Sequence, residues 1–277
     1  DEYGNANKVI NRCLLILEKN KEIDNSTRAH TFFVAGSFYY EQGMLAKSEK
    51  YINNSYQLNL KKNGLNHLNT LTTLNWLADI YFEKGDYGKA KELYKKVFDG
   101  YSALLAKDNP KIFGIMSDIA DTDFALGDSD SAINIYNKII LNLENLRSKD
   151  NADLAIYYSN LAYIFDELGL YYKAQPLYEK ALRITKNLFG KNHSRNVNIL
   201  NNLAVLLLNQ GLYEEAKNYL KEALYIEEKI YGIDSANLIN TLDNLSQVYV
   251  ELEDYKLART LIDRAYKIAR NNLSSND

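Results

Sequence analysis

The chain has 277 residues, 46% of them hydrophobic, a formal net charge of −3, and only 2 prolines beside 13 glycines. A mean hydropathy of −0.38 with no long apolar run excludes a membrane span, and a pI near 5.8 gives no overall pull toward nucleic acid. So little turn material, beside abundant Leu, Ala, Lys, Glu and Tyr, points to an all-α chain holding either two ordinary domains or one repeat array.

Residues 1–22 open on "DEYGNA", which matches "GDYGKA" at 85–90 at twice a 42-residue spacing. They read as the second helix of a pair whose first helix is missing. Cys13 falls there on a small core position equivalent to Ser55 and Ala181, and reads as packing rather than as a reactive thiol. As the only cysteine it makes no internal disulfide, which favours a reducing compartment and a cytoplasmic location.

Six full units follow over about 26–273, in one array spanning 1–277. Among them are "LNWLADIYFEKGDYGKAKELYKKVF" (74–98), "YSNLAYIFDELGLYYKAQPLYEKAL" (158–182) and "LNNLAVLLLNQGLYEEAKNYLKEAL" (200–224). Their turn residues are Gly43, Gly85, Gly127, Gly169, Gly211 and Glu253, always 42 residues apart. Each unit reads as two helices. The first carries a small residue at Gly36, Ala78, Ala120, Ala162, Ala204 or Ser246, and the second at Ser48, Ala90, Ala132, Ala174, Ala216 or Ala258. The glycine between them closes the first helix in a left-handed conformation. Asp or Asn at 66, 108, 150, 192 and 234 suits capping of the next unit, and Pro176 falls near the start of its helix. Thirteen main helices are expected. No polar capping helix is recognisable after about residue 272, so the chain reads as an excerpt of a longer protein.

This order of small residue, turn glycine, aromatic, alanine and aromatic resembles the tetratricopeptide repeat. The 42-residue unit, the "NNLA" opening and the linker "LFGKNHSRNV" (188–197) are similar to the kinesin-light-chain type. The resemblance covers the whole chain and is weakest in units 1 and 3, where Asp123 takes a usually aromatic position. It implies an all-α, right-handed solenoid of stacked antiparallel helix pairs, whose first helices line a concave groove that binds peptides or proteins. Periodicity itself gives only the stacked pairs.

Nine residues before each turn residue stand Val34, Trp76, Asp118, Asn160, Asn202 and Asn244. In the related repeats this position faces the groove, and an Asn there holds the backbone amides of an extended ligand. A side-chain amide both donates and accepts, so it suits any peptide bond. The competing reading is that these asparagines only tie neighbouring helices together. One residue earlier, Phe33, Asn75, Ser117, Ser159, Asn201 and Asp243 suit a solvated groove wall. Tyr163 and Gln247 join the candidate binding set, and Trp76 is expected beside Phe33 and Val34 in an apolar pocket.

Charge is partitioned as well. The twelve-residue stretches 30–41, 72–83, 114–125, 156–167, 198–209 and 240–251 contain ten carboxylates and no Lys or Arg, so the rest of the chain carries +7. That excludes a Lys/Arg clamp for a ligand carboxylate, and it suits a partner presenting basic residues to Asp79, Asp118 and Asp121. His67 and His193 sit in equivalent inter-repeat turns and His30 on a first helix, which argues for local turn roles rather than a metal site. No nucleophile motif or phosphate loop appears, so no catalytic residue and no cofactor is expected. The reading is a protein- or peptide-binding scaffold with an acidic, Asn-lined groove, engaging neither nucleic acid nor membrane, with self-association through uncapped ends as a further contact. The alternative is the sensor region of a larger effector, such as a CHAT-type peptidase or a nucleotide-binding switch protein.

Overall fold

In the computed structural model the described residues are 2–146 and 151–274. They form thirteen α-helices and one short 3-10 helix, with no strand among the described residues. The helices gather into two compact units, Asp1–Ile135 and Tyr136–Asp277. The first holds α1 (Glu2–Lys19), α2 (Asn25–Glu41), α3 (Leu45–Asn63), α4 (Leu68–Glu83), α5 (Tyr87–Leu104) and α6 (Pro110–Ala125). Helix α7 (Ser129–Leu146) runs from the first unit into the second. There follow α8 (Ala152–Glu167), α9 (Tyr171–Phe189), α10 (Arg195–Asn209), α11 (Tyr213–Tyr231), the 3-10 helix η1 (Ala236–Leu238), α12 (Ile239–Glu251) and α13 (Tyr255–Ser274).

Within each unit, helices pair along the chain and each pair stacks on the next. Helices α2 with α3 and α4 with α5 form pairs in the first unit, and α8 with α9, α10 with α11 and α12 with α13 in the second. Successive first helices also touch, α2 against α4, α8 against α10 and α10 against α12, so they build one wall of their unit. The close approach of paired helices rests on the small residues. Ala78 and Ala90 are fully buried, as are Ala162 and Ala174, and the Ser48 hydroxyl donates to the Gly36 carbonyl at 2.8 Å. Every predicted turn residue has positive φ, and Glu253, at 59°, adopts it without being glycine.

Three local expectations need correction. The helix caps lie one residue later than predicted from α4 onward. His67 accepts from the Asn69 N–H, Asn109 from Lys111, Asn151 from Asp153, His193 from Arg195 and Ser235 from Asn237. In each of these the acceptor sits two residues before the N–H it binds, so the chain enters the helix one residue later than predicted. Asp150 lies outside the described residues. Pro176 is the sixth residue of α9, past the first turn whose N–H groups lack partners, so it removes a helix bond instead of filling a vacant place. Cys13 is exposed, whereas Ser55 and Ala181 are fully buried. Helix α1 packs on α2, but the face that carries Cys13 has no paired first helix against it.

Candidate functional site

In the first unit, helices α4 and α6 bring carboxylates together. Asp79 accepts from the Tyr94 hydroxyl at 2.8 Å and from the Asn75 side chain at 3.4 Å. Burial pushes Asp79 up to about 6, against the lowering effect of the Tyr94 bond. Asp118 is pushed up to about 7, first by burial and then by the charges of Asp79 and Asp121. Tyr40 rises to about 12 for the same reasons, burial first and then Glu83 and Asp79. Burial and mutual repulsion both penalise the charged carboxylates, so the cluster favours anything that brings positive charge or a proton. The partition of charge is not complete, however. Asp123, buried at its aromatic position, is ion-paired with Lys91 of α5 and accepts from the Ser131 hydroxyl at 2.6 Å.

Trp76 is half-buried and stands edge-on to Phe33 and Tyr40, with centroids 5.6 and 5.4 Å away. It touches Phe33 as expected, while Val34 remains 42% exposed. A cavity of about 420 Å³ opens on the other side of Phe33, where its walls include His30, Asn59, Lys62, Thr72 and Thr73 but not Trp76. That hollow is lined largely by polar side chains and is distinct from the Trp76, Phe33 and Tyr40 cluster.

In the second unit the amides are partly engaged by the protein itself. Asn160 donates to the hydroxyl of the fully buried Tyr136 at 3.1 Å, tying α8 to α7. Asn202 holds the same relation to Tyr178 and lies near its hydroxyl, which makes no hydrogen bond of good geometry. Asn244 donates to Asn201 at 3.3 Å, and Asn201 donates to the Val197 carbonyl at 3.1 Å and the Thr241 hydroxyl at 2.9 Å. These residues belong to an open cavity of about 880 Å³ between α10, α11 and α12. Its walls carry seven side-chain amides, Asn198, Asn201, Asn202, Asn237, Asn240, Asn244 and Gln247.

Five of the twelve candidate residues therefore converge: Asn201, Asn202, Asp243, Asn244 and Gln247. Asn75 and Asp79 meet in the first unit, within the field of Asp118 and Asp121. Tyr163 is 48% exposed on α8 and lies outside both cavities. The wall expected to be solvated is closed at Ser117, which is buried, and at the Ser159 hydroxyl, which is buried without a partner.

Sequence reasoning missed Glu227, because the repeat pattern singles out positions on the first helices. Glu227 lies on the second helix α11, is 5% exposed, and lines the larger cavity. A signal was available: its equivalents are Asn59, Tyr101, Leu143 and Thr185, none of them charged. The two cavities are themselves equivalent, lined by the same repeat positions four units apart, such as His30 and Asn198, Asn59 and Glu227, and Thr73 and Thr241.

The sequence matches the tetratricopeptide-repeat profile over residues 27–103, 111–187, 153–224 and 195–271. No curated protein matches it. Among solved structures it is similar to BtubC (BKLC) from P. vanneervenii, with 25% identity over 83% of this chain and 91% of that one and a TM-score of 0.67. It shares its fold with the nearly identical TPR-like repeats of a Podosopora anserina chain described as a kinesin light chain, at 18% identity, 75% and 98% coverage and TM-score 0.60. A Rap protein complexed with Competence and Sporulation Factor also shares the fold, at 13% identity, 96% and 80% coverage and TM-score 0.64. Its helix pairs and the repeats matched along most of its length show that the chain belongs to the tetratricopeptide-repeat family.

Proposed function

We propose that this tetratricopeptide-repeat chain is a non-enzymatic scaffold that holds an extended peptide segment of a partner protein. The observation that carries this reading is the convergence of seven side-chain amides on one open cavity in the second unit. Each amide offers a donor and an acceptor, so together they can bond a peptide backbone whatever its side chains. Asn202 is the best placed, because its contact with Tyr178 is loose, whereas Asn160 is committed to Tyr136. In the first unit, burial and mutual repulsion penalise the charged forms of Asp79 and Asp118, which favours partners with Lys or Arg. That a Rap protein of this fold is complexed with Competence and Sporulation Factor is consistent with a binding role. No helix among the described residues is long and apolar enough to cross a membrane.

The test is selection from a displayed library of random decapeptides, followed by titration of the best binder. Asn202→Ala with Asn244→Ala should weaken it about thirtyfold, since each side-chain hydrogen bond is worth about 1 kcal/mol. The slope of affinity against salt should not change. Asp118→Asn with Asp121→Asn should instead flatten that slope, because those charges act through screened attraction. Full affinity in a folded Asn202→Ala/Asn244→Ala variant would mean that the amides only tie helices together.

A further inference from the structure

Glu227 is the one residue of the larger cavity that the architecture does not explain. The repeat places Tyr101, Leu143 and Thr185 at its position in the three preceding units, all buried and none ionisable near neutral pH. A carboxylate there is buried to the same degree, and its Oε2 has no hydrogen-bond partner in the protein. Burial pushes the carboxyl up, and the neighbouring Thr241 offsets this only in part. Thr241 is in turn bonded by Asn201, which accepts from Asn244, so Glu227 stands behind the chain of amides that would hold a ligand backbone. A buried acceptor left without a donor costs stability wherever nothing else recovers it.

The charges around the cavity decide what would satisfy it. Asp243 lines the same walls, and the one cation there is Arg195, whose guanidinium lies over the Phe189 ring, 4.6 Å from its centroid. With Glu227 and Asp243 against Arg195, the cavity carries a net negative charge that favours a cation over an anion. Its volume of about 880 Å³ exceeds what one side chain fills, and it is open to solvent along the amides. A segment lying on the amides can therefore send one side chain inward.

We propose that Glu227 is a specificity anchor that receives a lysine ammonium or arginine guanidinium from the bound segment. The site selects for one basic residue at a fixed place in that segment. This inference rests on the peptide-binding reading and adds to it a position that the first helices do not supply. The four-unit equivalence sharpens the point, because the corresponding hollow in the first unit carries Asn59 there, with Lys62 and His30 beside it. The two hollows should therefore not select the same residue.

The test uses the whole chain and a displayed library of random decapeptides, with three proteins: the parent, Glu227→Gln and Glu227→Thr. Threonine is the residue that the preceding unit carries at this place, so the second variant keeps a side chain the repeat already accommodates. The parent should enrich peptides with Lys or Arg at one fixed position, and both variants should still enrich peptides but without that preference. The best parental peptide should bind Glu227→Gln about thirtyfold more weakly, and replacing its basic residue with norleucine should abolish the difference. The preference should survive in Asp118→Asn, which separates this anchor from the acidic cluster of the first unit. The anchor is overturned if Glu227→Gln and Glu227→Thr retain the same basic preference, or if the parent enriches peptides with none. If the parent enriches no peptide at all, the scaffold reading fails and the anchor falls with it.

Discussion

The two hollows are the same place in the fold, four repeats apart, yet they have opposite characters. In the first unit the walls offer His30, Lys62 and Asn59; in the second the corresponding walls offer amides and Glu227. The backbone register repeats so faithfully that it makes the hollow twice. What differs is the side chains that the register does not constrain. The same division appears in the cores: the first unit has a buried ion pair at Asp123, where the second has Phe165 and Tyr249. Packing positions carry the fold, and departures from the repeat carry the chemistry.

The sharpest way to break this comparison is to remove a departure. Lys91→Met leaves Asp123 as an uncompensated buried charge and should cost about 3 kcal/mol or more in the first unit. Adding Asp123→Phe restores the residue type of the second unit and should recover that loss or exceed it. Thermal unfolding of both variants checks this, read as separate transitions where the array does not unfold in one step.

A smaller effect is expected at Gly36, the only glycine among the small first-helix residues. Helix propensity favours alanine there, and four other units have it. In this unit an added Cβ would stand 2.5 Å from Ile52 Cγ1 and 3.0 Å from the Ile52 nitrogen. Gly36→Ala should therefore destabilise the first unit by about 2 kcal/mol, opposite to what propensity predicts. A raised melting temperature would show that Ile52 moves aside without cost.

The smallest effects are pH-dependent and appear in both units. Asp118 holds its proton up to about 7 when folded, against an ordinary carboxylate value near 3.8. Between those values the folded chain keeps a proton that the unfolded chain has lost, so stability falls as pH rises from about 4 to 7 and stays lost above. Asp118→Asn should match the parent near pH 4 and melt higher at pH 8, the gap opening between about pH 4 and 7. Glu227→Gln should behave with the same sign, since burial raises that carboxyl too. A variant less stable than its parent at pH 8 would mean that the charge is satisfied within the fold.

Much of this was legible in the residues. The 42-residue step carried the helix pairs, the left-handed turns and the small contact sites, because those depend on backbone geometry that few residues satisfy. The positions nine and ten residues before each turn led to Asn201, Asn202, Asp243 and Asn244, which do share a cavity. What was not legible depended on contacts between units of the repeat. Asn160 and Asn202 look identical in sequence, and only the geometry at Tyr136 and Tyr178 separates a committed amide from a loosely held one. Asp123 read as one of ten uncompensated carboxylates because Lys91 lies on α5, the second helix of the preceding repeat. Glu227 escaped because nothing local marks it; it stands out only when compared with Tyr101, Leu143 and Thr185.

The central claim is that the amide-lined cavity of the second unit, and not its equivalent in the first, is where a peptide backbone is held. Hydrogen–deuterium exchange on the whole chain, with and without the best library-selected decapeptide, addresses this directly. Binding should slow exchange in Arg195–Asn209 and Ile239–Glu251, helices α10 and α12, while the walls of the first hollow around His30 and Thr73 remain unchanged. Protection centred on that first hollow, with α10 and α12 unaffected, would contradict the account.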